Sequence, residues 1–420
     1  MIGSIFRMKD VILLRSVSAY LIVGLFVAVQ FILQGIVSLM VPELKADLGL
    51  TEVGVGVLAS LFFYPYVLLQ VPAGWLLPRM GIRNLMAMAA LLMASGCFVE
   101  SVADTALLAM LGRCLMGVGA APGIVCFLST VERVIPASYF GLFAASTELF
   151  GMLGAGVGDF LIPQGIRVYG WHGVLEWFGY GVIGLFFCCL VLPGRQAGNC
   201  KGEENSSCWR DGLNNRNVWF VAFYSGLMFA VLNAFAALWA IPFLETHAAC
   251  HQSASDMAGM IFLGATVGAL LLGWVSDRRS DVRGLMLVCT ALTILLFLLM
   301  LYDRFPTVVY YPLMFGIGLC SSSYILPFMM EKRWLKGAAL STAMALTNAV
   351  SVLVGALIYQ PLIGWLISLY PQICLESFRQ VLMLIPIGMI LAIFLLVSLR
   401  PESDSAKPLS PGQGSGNLVP

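Results

Sequence analysis

The chain has 420 residues, of which 60% are hydrophobic and 11% charged, and its mean hydropathy is +0.92. Soluble domains carry about 25% charged residues, so 23 basic and 22 acidic side chains cannot clothe this chain in a water-facing surface. A net charge of +1 argues against a nucleic-acid binder, which needs a concentrated basic face, and no stretch of soluble composition is long enough for an extramembrane catalytic domain.

Crossing about 30 Å of hydrocarbon takes about 20 apolar residues in a helix. Twelve such runs occur, near 17–41, 54–77, 84–103, 105–128, 140–163, 174–193, 217–241, 256–275, 284–302, 307–329, 338–361 and 379–399. Span 1 is too long for a signal-peptide core and is read as a retained helix. Short connections predict antiparallel neighbours. The exception is the polar stretch GRQAGNCKGEENSSCWRDGLNNR at the midpoint. The expected organisation is therefore an N-terminal bundle (1–193), a linker (194–216), a C-terminal bundle (217–400) and a Ser/Gly/Pro-rich tail (401–420), the last expected to be disordered.

Basic residues orient the chain. With the N-terminus in the cytoplasm, 18 of the 23 fall on that side, and only Lys45, Arg167, Arg304 and Arg379 on the other. Arg113 remains inside span 4. Both termini are expected to be cytoplasmic.

The two halves echo each other. Gly74-Trp75-Leu76-Leu77-Pro78-Arg79 follows span 2, and Gly273-Trp274-Val275-Ser276-Asp277-Arg278 follows span 8, 199 residues later. Glu148 in span 5 matches Asn348 in span 11 at nearly the same offset. A polar joint between two such halves is the trace of an internal repeat.

With these residues the chain resembles the major facilitator superfamily of secondary transporters. The family's loop motif is Gly-x-Leu-x-Asp-Arg-x-Gly-Arg-Lys. Residues 74–83, GWLLPRMGIR, keep Gly74, Arg79, Gly81 and Arg83 but put Pro78 in the acidic place. GWVSDRRSDVR in the second half keeps Gly273, Asp277 and Arg278. LGRCLMGVGAA (111–121) resembles the embedded-arginine motif, with Arg113, and YGWHG (169–173) places His172 where arginine is usual. The resemblance implies an all-α integral membrane fold of twelve transmembrane helices in two pseudo-symmetric six-helix bundles, working by alternating access without a cofactor. It also implies that the loop residues gate the cytoplasmic face by pairing with acids or helix ends, with a weaker latch where Pro78 stands.

FFYPYVLLQVPAGWL in span 2 and STAMALTNAVSVLVGALIYQPLIGWLI in span 11 are similar to uptake carriers of intracellular bacteria. These include phagosomal amino-acid and nucleoside transporters and carriers of carboxylate siderophores. The likeness implies a multi-pass protein of a bacterial inner membrane. Those carriers often have arginine where Gln34 stands here, which reduces the expectation of an anionic substrate.

Arg113 lies about eight residues into span 4, roughly 12 Å deep at 1.5 Å per residue. An ionised side chain there costs some 2.5–3.5 kcal/mol on insertion scales and marks a candidate functional site. It is expected to contact substrate or balance an acid, the alternative being an arginine satisfied by helix-end carbonyls. Glu148, equally deep in span 5, is the candidate proton-coupling acid or the partner of Arg113, or else a packing carboxyl. Glu100, Asp159 and Glu176 lie near the outer boundary and are expected to meet water.

Further candidates for a substrate cavity are Gln30 and Gln34, Tyr64 and Tyr66, Asn233 and Trp239, Ser322 within the Ser321–Ser323 run, Tyr324 and Asn348. Together they describe a polar site with one cation and one acid, which suits amino acids or nucleosides better than a polycarboxylate. The resemblance implies that spans 5 and 8 meet across the halves, so their glycines (151, 154, 156, 158 and 264, 268, 273) are expected to form a smooth contact there. GVGAAPG (117–123) has no preceding strand and is not read as a nucleotide loop. Among eleven cysteines only Cys250 and Cys374 are candidates for a bridge, His172, His247 and His251 map to outer loops, and no metal-ligand cluster or catalytic constellation is visible.

The leading expectation is a monomer in the lipid bilayer that imports a small polar metabolite with protons. Siderophore import, proton-antiport export and a non-transporting sensor are the alternatives, and an enzyme is not expected.

Overall fold

With no water in the bilayer core to satisfy backbone groups, a chain this apolar has to form helices. The computed structural model describes residues 2–194, 208–246, 251–302, 305–370, 372 and 374–399, and among them the regular structure is helical throughout. Ten continuous helical stretches are long and apolar enough to span: Ser16–Leu39, Gly54–Ser101, Ala106–Val134, Ala137–Cys189, Arg216–Glu245, Ser253–Arg278, Val282–Tyr302, Thr307–Trp334, Gly337–Ser368 and Leu375–Val397. The second and fourth have 48 and 53 residues, about twice what a membrane needs. Each contains one non-helical glycine: Gly81 (φ 77°, ψ 158°) and Gly170 (φ 69°, ψ 171°). Only glycine takes that conformation without strain, so each stretch divides into two spans there. The result is the expected twelve.

Both turning glycines belong to the quoted motifs, GWLLPRMGIR and YGWHG. Elsewhere side chains start the helices. Thr51 accepts from the Gly54 amide (3.1 Å) ahead of span 2, Thr105 from Leu108 (3.4 Å) ahead of span 4, and Asn215 from Asn217 (2.9 Å) ahead of span 7. Each supplies an acceptor for a backbone N–H that has no partner inside its helix.

The two halves are built alike. In the first, Gly154 of span 5 lies against Ala28 of span 1, and Gly117 of span 4 against Phe62 of span 2. In the second, Gly355 of span 11 lies against Phe229 of span 7, and Gly318 of span 10 against Ile261 of span 8. Small residues let these backbones approach closely. This corrects the expected role of the glycine stripes. Gly151 and Gly154 face span 1, Gly264 and Gly268 face span 10, and Gly156 faces open space. Only Gly273, against Gly141 of span 5, carries the contact between halves. The glycines of GVGAAPG are likewise packing residues, set against spans 1, 2 and 3.

Large apolar side chains such as Leu68, Phe160 and Val191 are about 70% exposed on the outside (73%, 68% and 74%). In this chain that surface belongs to lipid, not to water.

Candidate functional site

Two sets of contacts join the halves at the end that carries the Gly-Trp loops, called here the basic end. In the first, the Asp277 carboxylate after span 8 accepts from the Gly141 amide (2.7 Å) and the Leu142 amide (3.0 Å) at the start of span 5. These are charge-assisted bonds to a positive helix N-terminus. Lys332 of span 10 stands 3.6 Å above the Phe140 ring. In the second, Gly74 of span 2 lies against Ser341 and Ala345 of span 11. Pro78 stands 199 residues before Asp277, and the span 11 N-terminus has no side-chain cap. The two-fold repeat therefore keeps its close approach on both sides and its carboxylate on one.

The arginines of the loop motifs stack on tryptophans and bind helix-end carbonyls rather than acids. Arg79 stacks on Trp75 at 3.9 Å and Arg278 on Trp274 at 4.0 Å, and among the described residues neither forms an ion pair with an acid. Arg83 is exposed, beyond the Gly81 turn. Helix ends are nonetheless bound here: Arg278 donates to the Trp274 carbonyl (3.4 Å), Arg283 to the Val397 carbonyl at the close of span 12 (3.0 Å), and Arg333 to the carbonyls of Ser276, Arg279 and Ser280 (3.1, 2.8 and 2.5 Å) at the close of span 8.

Above these contacts a cavity of about 450 Å³ lies between the halves. Its polar lining includes Gln34, Ser38, Tyr66, Thr147, Glu148, Asn233, Tyr324, Asn348, Ser351 and Gln360. Phe31, Phe63, Phe229, Phe262 and Phe328 add aromatic faces. The Asn348 amide donates to the Tyr66 hydroxyl across the two halves (3.2 Å). The lining reaches Gly35 and Ser38, exposed at the far end of span 1. Toward the basic end the lining residues Leu128, Ala144 and Met329 are buried.

Six of the eleven candidate cavity residues meet here: Gln34, Tyr66, Glu148, Asn233, Tyr324 and Asn348. Glu148 faces Tyr324 from the opposite half, and no cation among the described residues pairs with it.

The other five do not line the cavity. Tyr64 is 52% exposed on the lipid side. Gln30 is fully buried against Gly123 of span 4. Ser322 donates back to Leu319 (2.7 Å) and Trp239 to the Gln360 carbonyl (3.3 Å).

Arg113 is the largest correction. It is fully buried, it donates to the carbonyls of Leu33 (2.7 Å) and Gln34 (3.3 Å), and it lies 5.2 Å from the Phe62 ring. Span 1 tightens into a 3₁₀ turn at Ile36–Leu39 just beyond, so these carbonyls need outside donors. Its electrostatic partner is Glu100, which is fully buried rather than solvated. No Arg113–Glu148 pair forms. Glu176 is exposed as expected and accepts from Tyr180 (2.9 Å). The Asp159 side chain and Cys250 lie outside the described residues.

Gln360 was not among the sequence candidates, and helix geometry explains why. Twelve residues after Asn348, a regular helix would turn it about 120° away. The π-helical segment Leu353–Ile358 intervenes, and one extra residue taken up there returns Gln360 to within about 20° of Asn348. Its amide donates to the Asn233 carbonyl, itself inside the π-helical segment Val231–Trp239 of span 7. Such segments concentrate at functional sites.

Two bundles sharing one cavity correspond to a known family. The chain matches the Major Facilitator Superfamily profile over residues 23–248 and 218–419. It belongs to the Major Facilitator Superfamily. Among its relatives is NicT of Pseudomonas putida, named as a metabolite transport protein, 26% identical over 74% of this chain and 78% of its own length. A protein of Escherichia coli named as an L-galactonate transporter is 26% identical over 57% of each chain. MdtD of Salmonella paratyphi B, named as a multidrug resistance protein, is 23% identical over 40% of this chain and 37% of its own. A multi-pass superfamily transporter is thereby shown.

Proposed function

We propose that this chain is a secondary active transporter that carries a small solute by alternating access, with protons coupled at Glu148. One observation carries the reading: a cavity between the halves contains Glu148, its lining is exposed toward one end, and at the other end the halves meet in contacts that rigid halves can break by rocking. The positive-inside pattern supports a basic end in the cytoplasm of a bacterial inner membrane. The arrangement is then outward-open.

The galactonate carrier among the relatives takes a carboxylate by name. Among the described residues no lysine, arginine or histidine lines the cavity, and Arg113 is committed to span 1 carbonyls. A non-anionic solute therefore fits better, and siderophore uptake loses its cation. Direction follows from the state of Glu148 that the solute needs. A solute bound to the protonated carboxyl travels with the proton, as in nutrient uptake. One bound to the carboxylate is exchanged for it.

Proteoliposomes under an imposed pH gradient test the coupling, with labelled amino acids, nucleosides and amines as probes. Glu148→Gln is expected to abolish gradient-driven accumulation. Full gradient-driven accumulation in that variant would exclude Glu148 as the coupling group.

A further inference from the structure

The charge and surface of the cavity point to one class of solute. Among the described residues its lining holds one carboxylate, Glu148, and no basic side chain; its other titratable groups there are the phenols of Tyr66 and Tyr324. Aromatic rings share the cavity with this carboxylate. Tyr324 faces Glu148 and packs against Phe229 with ring centroids 4.8 Å apart, while Phe31, Phe262 and Phe328 line the same space. An aromatic face is negative at its centre and attracts cations within about 6 Å, more strongly where water is excluded. A carboxylate among such faces is a cation site. An anion would be repelled by the carboxylate, and a neutral solute would gain at most a charge-assisted hydrogen bond from it.

We infer that the solute presents a cationic nitrogen (an amine, guanidine or quaternary ammonium) to Glu148 and lays an apolar body against the surrounding rings. This rests on the transport reading above and narrows it. The ammonium group and a proton then exclude each other at one carboxylate. Solute binding releases a proton, and the cycle is an exchange.

The test uses the purified full chain in nanodiscs, titrated with benzyltrimethylammonium, the size-matched anion hydrocinnamate, and uridine as a neutral probe. Benzyltrimethylammonium is expected to bind and raise the melting temperature, and to bind more weakly as pH falls. Glu148→Gln is expected to lower its affinity at least about tenfold, and Phe229→Leu several-fold. Glu148→Asp, which keeps the charge, should bind within a few-fold of wild type and shows that loss in Glu148→Gln is not misfolding. No cation binding, cation affinity unchanged in Glu148→Gln, or equal or tighter binding of hydrocinnamate or uridine would overturn the assignment.

Proteoliposomes separate this from the transport reading. Cation binding with no flux under a pH gradient overturns transport and leaves the class standing. Uridine or hydrocinnamate flux without cation binding overturns the class and leaves transport standing.

Discussion

Gly273 of span 8 and Gly141 of span 5 meet backbone to backbone: a Cβ on Gly273 would stand 2.7 Å from the Gly141 carbonyl carbon and 2.9 Å from the Ala145 Cβ. Nothing but glycine fits while the basic end is closed. Gly273→Val is therefore expected to push the bundles apart there and populate the state open at the basic end. Gly156→Val has nothing within 4 Å and is expected to change little. Spin-label distances across the basic end read both outcomes.

Asp277 holds two amides that have no other partner in their helix. Asparagine has one acceptor oxygen where the carboxylate has two, so Asp277→Asn orphans one N–H and removes a charge from a helix N-terminus. That interaction is worth about 1 kcal/mol, and a shift of about fivefold toward the state open at the basic end is expected. Accessibility of single cysteines placed at the basic end measures it. An unchanged distribution would show that the glycine contact alone closes this end.

Arg113 is expected to matter for stability rather than affinity. Arg113→Met leaves the Leu33 and Gln34 carbonyls without their donor and Glu100 without its counter-charge, a loss of about 3 kcal/mol. Arg113→Lys is expected to recover only part, because an ammonium cannot fork to both carbonyls. Adding Glu100→Gln to Arg113→Met should restore stability beyond the sum of the single effects. Thermal unfolding in nanodiscs tests this, and solute affinity should stay within a few-fold throughout.

Cys374 reports topology. It is exposed ahead of span 12, and the backbone amides of Ser377 and Glu376 hold its thiol below the usual thiol range. Its thiolate, the reactive form, is thus present at lower pH than for an ordinary cysteine. A membrane-impermeant maleimide is expected to label it from the outer face, with a rate midpoint below that of a free thiol. Cys374→Ser removes that share of labelling. Labelling only after permeabilisation would invert the orientation.

The sequence located depth well and direction around each helix poorly. Tyr64 and Tyr66 are two residues apart, which puts them about 200° apart on a helix. Both qualified as cavity residues by composition, yet only Tyr66 can face inward. Arg113 was correctly placed inside span 4, but its rise along the axis does not say that it points at span 1. Glu100 looked solvated from its place near a span end, and the closeness of Gly112 to its backbone buries it. Gln360 was lost because a π-helical segment changes the turn count that any periodic reading assumes.

The sequence by itself determined that this chain spans a membrane twelve times, that its halves repeat, and which end is basic. Those properties are sums over composition and spacing, and no neighbour can cancel them. Only the tertiary structure decided which polar groups share a cavity and which are consumed in holding helices together. Buried polar groups must find partners, and span 1 rather than a solute satisfies Arg113, leaving Glu148 as the one carboxyl group in the cavity among the described residues.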